Sequence, residues 1–237
     1  VLAMSTGAWA VGRELREGTL PGWLGVAEQT ADAAPAQPSR NGAGLAPVLA
    51  ALLAKLAWPW LSFSVVGALA LAWLTVGRGW PVPGSLLLVA AAHAAFVALS
   101  LLLGALFTLL ASSQRRGLSA AGFVAAPAFA FSGVAFPGLA LPMGAQWWAL
   151  ALPLTHYLQV QVQQLLMGAP LRLSLTTPLV MLALCVPLAG LAAALLRRAA
   201  GRPELWGRRC PTPPSPTASG PSCAPPCARP FSSPHRH

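Results

Sequence analysis

Between Lys55 and Arg197 the chain carries only four charged residues: Arg78, Arg115, Arg116 and Arg172. Long uncharged stretches punctuated by single cations leave few ways to fold. An ordinary soluble domain has about 25% charged residues; this chain of 237 has 8%, against 56% hydrophobic. An uncharged apolar run of about 20 residues is long enough to cross a bilayer as a helix. In hydrocarbon the backbone must satisfy its own hydrogen bonds, which a helix does within one segment. The expected fold class is therefore all-α, a multi-span transmembrane helical bundle. The net charge of +10 does not point to nucleic acid. The Lys and Arg residues sit at the ends of apolar runs and in the tail, with no basic stripe interleaved with readout residues. Cations so placed record membrane topology.

About four full spans are expected. The first occupies the 22 uncharged residues between Lys55 and Arg78. Trp58, Trp60 and Trp73 stand near its ends as interfacial aromatics, and Pro59 falls in its first turn. The second covers about 85–111 and contains His93. That residue is either a neutral imidazole bonded within the bundle or a proton or substrate contact. The third runs over about 118–136. The last covers about 173–196 and ends at Arg197-Arg198, with Pro178 and Pro187 as possible kinks.

The stretch 123–168 is apolar but broken. It interrupts at Ser132-Gly133, carries Pro137 and Pro142, and passes through Trp147-Trp148. After Pro153 come Thr155, His156, Tyr157, Gln159, Gln161, Gln163 and Gln164. This predicts a short interfacial helix over 143–152 and a second helix over 154–167. Gln159, Gln163 and the pair His156/Gln164 would give the second helix one polar face. Together they make an extracytoplasmic re-entrant or interfacial hairpin leading into the last span.

Residues 1–11 read as the end of an apolar segment already under way. Either an upstream span is truncated, or translation starts internally at Met4. Residues 12–54 form a charged segment and loop. Arg13 and Glu17 are four apart, so a helix puts them on one face; Glu14 and Arg16 flank them, and Gly18 and Pro21-Gly22 stop the helix. Taken alone, this is an amphipathic element at a membrane edge or a solvated helix that marks one side. Residues 25–47 read as a flexible loop and 55–202 as the transmembrane domain. Residues 203–237 read as a disordered Pro/Ser/Cys-rich tail. Its Cys223, Cys227, His235 and His237 make only a weak metal pattern, and no metal site is expected. Cys185 is a small apolar residue within a span.

The positive-inside rule orients the chain. One side holds Arg13, Arg16, Arg40, Lys55, Arg115, Arg116, Arg197, Arg198 and Arg202; the other holds only Arg78 and Arg172. The richer side is assigned to the cytoplasm. Both visible termini then lie inside, and 137–172 faces outward. Cys210, Cys223 and Cys227 fall on the reducing side, where disulfides are not expected.

The chemistry is marked by what is missing. Lys55 is the only lysine and follows Ala54, whereas a phosphate-binding P-loop needs Gly-Lys-Ser/Thr. The carboxylates Glu14, Glu17, Glu28, Asp32 and Glu204 all fall outside the expected spans, leaving no intramembrane acid for a proton relay. No nucleophile–base pair is visible. The chain is thus expected to have no catalytic residues and no cofactor of its own.

Two stretches resemble the C-terminal part of an ABC-2 type transporter permease. RELREGTL (13–20) is similar to the family's cytoplasmic Arg-Glu segment ending in Gly-Thr-Leu. The longer stretch 131–168 is similar to its ordered Ser-Gly, Phe-Pro and Leu-Pro-Leu-Thr-His-Tyr signature before the last span. The resemblance covers about residues 1–202. It implies the membrane subunit of an ATP-binding cassette exporter in a bacterial inner (plasma) membrane. Such subunits have six spans, surround themselves with lipid, and pair as homodimers or heterodimers. A separate cassette ATPase partner holds ATP and Mg. The resemblance implies that Arg13, Glu14, Arg16, Glu17, Gly18 and Thr19 couple to that ATPase. It assigns Ser132, Gly133, Pro137, Pro142, Pro153, Thr155, His156 and Tyr157 to the outer gate or re-entrant element. Pro21-Gly22 and the loop 25–47 depart from the family's continuation after Gly-Thr-Leu. The alternatives are a secondary transporter driven by an ion gradient, which the lack of carboxylates within the spans disfavours, and a non-transporting membrane scaffold.

Overall fold

The computed structural model describes residues 2–17, 44–132 and 142–200. Among these residues every regular element is helical. Helix α1 is Leu2–Glu17. Helix α2 is Leu45–Ala72, continued by a π-helical turn over Trp73–Gly77. Helices α3 (Leu86–Ala111) and α4 (Gln114–Ala130) follow. The hairpin helices are α5 (Met143–Ala151) and α6 (Pro153–Leu165), and α7 is Leu171–Ala200.

Helix α3 is the axis of the bundle. Leu88, Val89, Ala92, Val97, Leu101, Ala105 and Leu109 are all buried along it, because α1, α2, α4, α6 and α7 all pack against it. Its approach to α1 is set by two glycines. A Cβ on Gly7 would strike the Leu101 carbonyl, and one on Gly104 would strike the Met4 carbonyl. Lipid is as apolar as a leucine side chain, so helices in a membrane associate through such close backbone contact and interhelical hydrogen bonds. Thr108 supplies one of the latter: its hydroxyl donates to the Ala8 carbonyl at 3.2 Å and shares itself with the Gly104 carbonyl.

Helices α2, α3 and α7 are long and apolar enough to cross a membrane: Leu45–Gly77, Leu86–Ala111 and Leu171–Ala199. Their outer faces carry large exposed apolar side chains, among them Trp58, Val66, Leu69 and Trp73 on α2 and Leu173, Val180 and Val186 on α7. A surface of this extent and composition suits hydrocarbon. Of the expected span at 118–136, residues 133–136 lie outside the described residues. Its described helix, α4, has 17 residues, about 25 Å against roughly 30 Å of hydrocarbon, and ends before the bend at Ser132.

Several expectations change. Residues 2–11 and the charged residues after them, to Glu17, are one continuous helix. The first long span begins at Leu45, inside what reads as the tail of a loop, so Pro59 lies well within α2 rather than in its first turn. Lys55 is also inside α2, where it pairs with Glu14 of α1. Trp60 does not serve as an interfacial anchor alone; its indole N–H donates to the Ala94 carbonyl of α3 at 2.9 Å.

Candidate functional site

One end of the bundle gathers the charge. Leu15, Val48, Leu109 and Leu196 share one buried cluster, so the C-terminal ends of α1, α3 and α7 meet the N-terminal end of α2. The side chain of Gln114, at the start of α4, lies against Gly12. Arg13, Arg16, Arg115, Arg116, Arg197 and Arg198 are exposed around this end. On α1, the Arg13 guanidinium donates to Glu17 at 2.8 Å in the i,i+4 arrangement expected from the spacing. The same guanidinium stands 5.3 Å from the centre of the Trp9 ring. Both members of the ion pair are well exposed, so it contributes only about 0.3–0.5 kcal/mol. The Glu14–Lys55 pair is different in kind: it joins α1 to α2, with the Glu14 side chain only 15% exposed. Gly18 and Thr19 lie outside the described residues.

The opposite end holds the Pro-broken hairpin. Pro142 starts α5, and its carbonyl accepts from the Ala145 and Gln146 N–H groups. Leu152, in extended conformation, links α5 to α6, and Pro153 occupies the first helical position of α6, where its missing N–H costs nothing. The His156 Nε2–H donates back to the Leu150 carbonyl at 2.9 Å, clasping the two short helices together. Thr155 is buried, and its hydroxyl has no partner among the described residues. Tyr157 turns to the core, its ring 5.2 Å from Phe96 and 5.4 Å from His93. Burial pushes its phenol above the ordinary value, so it stays protonated. Ser132 is buried at the bend after α4. Gly133 and Pro137 lie outside the described residues.

The polar face expected on α6 divides in two. Gln159 is exposed, but Gln164 is completely buried. Its Oε1 accepts from the Ser85 N–H at 2.9 Å, at the N-terminus of α3. Its amide nitrogen donates to the Ala169 carbonyl at 3.0 Å and to Ser174 Oγ of α7 at 2.8 Å. Ser174 in turn donates to Gln163 Oε1 at 2.8 Å. This knot ties α3, α6 and α7 together at the outer end. Sequence reading found the amides but not their partners, which stand 79 positions away at Ser85 and 10 away at Ser174.

His93 packs as a bundle residue. Its Nε2 lies 3.4 Å from the Phe63 carbonyl of α2, and a Cβ on Gly67 would strike its ring. Among the described residues no three His, Cys, Asp or Glu side chains converge as metal ligands.

No curated protein and no solved structure matches the chain. A family described as "ABC-2 family transporter protein" matches residues 45–195. That range begins at the first residue of α2 and continues into α7, taking in α3, α4 and both hairpin helices, well over half of the 237 residues. A helical bundle with three membrane-length apolar helices, matched over this range, identifies the chain as a multi-pass membrane protein belonging to the ABC-2 family of transporter permeases.

Proposed function

We propose that this chain is the membrane subunit of an exporter powered by ATP that a separate cassette subunit hydrolyses. The observation that carries this reading is the charged end of the bundle. There α1 presents Arg13, Arg16 and Glu17 outward while Glu14 is bonded to Lys55 of α2. A push on the exposed turn is thereby passed to a membrane-length helix through a charge-assisted contact. In this reading Arg13, Glu14, Arg16 and Glu17 couple to the ATPase, with Gly18 and Thr19 continuing the segment. The hairpin residues Pro142, Pro153, Thr155, His156 and Tyr157, with Ser132, Gly133 and Pro137 before them, shape the outer gate. Two such subunits, alike or different, pair in the plasma membrane of a bacterium, with the charged end in the cytoplasm. ATP and Mg belong to the cassette.

The test is Glu17→Arg in the complete subunit assembled with its cassette partner. It turns the Arg13–Glu17 pair into a like-charge pair. The intrahelical cost is only about 0.2–0.5 kcal/mol, so membrane abundance should hold. ATP-dependent transport at equal abundance and recovery of the cassette by pull-down should both fall. Normal transport together with normal pull-down would reduce the segment to a solvated marker of one side. The subunit purified alone should hydrolyse no ATP, because it has no P-loop lysine.

A further inference from the structure

Among the described residues the only carboxylates are Glu14 and Glu17, and both are taken, by Lys55 and Arg13. Arg16, Arg115, Arg116, Arg197 and Arg198 stand exposed at the same end, with no carboxylate among the described residues in salt-bridge contact. Arg115 and Arg116 lie in the first turn of α4, which holds no acid, although the helix dipole there opposes a cation. Arg197 and Arg198 fill the last turn of α7. The helices that carry these cations also share a pattern. Residues seven apart on a helix lie on nearly one face, two turns or about 10 Å along the axis. At that step the exposed series on α1 is Leu2, Trp9 and Arg16. On α4 it is Phe123 and Arg116, and on α7 it is Leu184, Leu191 and Arg198. In each series the arginine stands at the charged end, and exposed apolar surface runs away from it toward the middle of the bundle. Three helices thus repeat one arrangement, a cation at the rim with a hydrocarbon-facing stripe behind it.

We propose that this rim binds anionic phospholipid, with the phosphate at the arginines and the acyl chains along the stripes. A dissolved anion would use the arginines and leave the stripes idle, and so would an acidic protein surface. A phospholipid uses both parts at once. Its headgroup must carry net negative charge, because a zwitterionic one brings an ammonium beside its own phosphate and cancels most of the attraction. The planar guanidinium fork matches two phosphate oxygens. Clusters of roughly four to eight cations beside a membrane helix are of the size that recruits anionic lipid. The inference concerns the lipid held around the subunit and does not rest on the exporter reading.

The test reconstitutes the purified full chain, without cassette or ATP, in phosphatidylcholine bilayers. The probes are trace phosphatidylglycerol or phosphatidylcholine, each spin-labelled on an acyl chain. Electron spin resonance separates lipid held at the protein from bulk lipid. Both leaflets have the same composition, so the orientation of the inserted protein does not matter. At low salt phosphatidylglycerol should be over-represented at the protein, by up to about fivefold where one arginine meets one phosphate. Added salt should shrink the preference, because the screening length falls from about 30 Å at 0.01 M to about 3 Å at 1 M. Arg115→Gln, Arg116→Gln, Arg197→Gln and Arg198→Gln, made together, should remove most of it. Arg16 is left in place because it belongs to the coupling segment. The matching fourfold change to lysine keeps charge and hydrocarbon stem and should keep the preference, which separates loss of charge from failure to fold. Equal representation of the two lipids would overturn the proposal. So would displacement of labelled phosphatidylglycerol by soluble glycerol phosphate at matched ionic strength, which would mark a free-anion site. A preference that survives the glutamine variant would also overturn it; if recovery of the cassette falls in that same variant, the arginines belong to an acidic surface of the partner.

Discussion

A glutamine side chain brings one acceptor and two donors, and where water is excluded all of them need protein partners. Gln164 finds partners for its oxygen and for both its donors, at the start of α3, in the α6–α7 link and on α7. Gln164→Leu keeps the volume but strands the Ser85 N–H and releases Ser174. Leaving a buried donor unpaired costs about 1–3 kcal/mol, so the variant should unfold several degrees earlier in detergent. An unchanged melting temperature would mean that the knot carries no stability. Gln159, five residues earlier, should tolerate leucine because it is exposed. The spacing of polar residues showed that α6 has a hydrophilic side. It did not separate the exposed amide from the buried one, because that depends on what packs beside each. The Arg13–Glu17 pair was legible for the opposite reason: both partners lie on one helix, so spacing alone brings them together.

At the scale of elements, the helices were readable and their contacts were not. Apolar runs and prolines gave α3, α5, α6 and α7 to within a few residues. The start of α2 was misplaced because Lys55 looked like the edge of a span. A cation marks an edge only when water is its partner, and here its partner is Glu14 on a neighbouring helix. The glycines of α1 and α3 were equally silent in sequence, since a small residue at a contact looks like a small residue anywhere. Their role is open to a direct comparison. Gly104→Val would drive a side chain into the Met4 backbone, and overpacking of this kind costs about 1–3 kcal/mol. It should sharply reduce the folded yield of the protein. Gly144→Val, at a position with open space around it, should leave yield near the parent. Equal yields would show that α1 and α3 do not need their close approach.

Among the described residues, the molecule has one end dense in arginine and one nearly free of it. The positive-inside rule then makes a prediction with two readouts. A reporter fused near Gly117 should be cytoplasmic, and one near Gly144 should be extracytoplasmic. The reversed pattern would sink the orientation and, with it, the placement of the coupling segment. The hairpin at the arginine-poor end has one further property. Helix α6 is fastened along its length by Tyr157, Val160 and Gln164. Among the described residues α5 leans chiefly on α6, joined to it by extended Leu152 and the His156 clasp, with Met143 and Trp147 facing outward. Indole rings settle at the headgroup level of a bilayer. If Trp147 takes that level, the height of α5 follows the lipid, whereas α6 is held by its contacts with α3 and α7. A change in bilayer thickness would then be taken up at Leu152, the extended residue between the two helices.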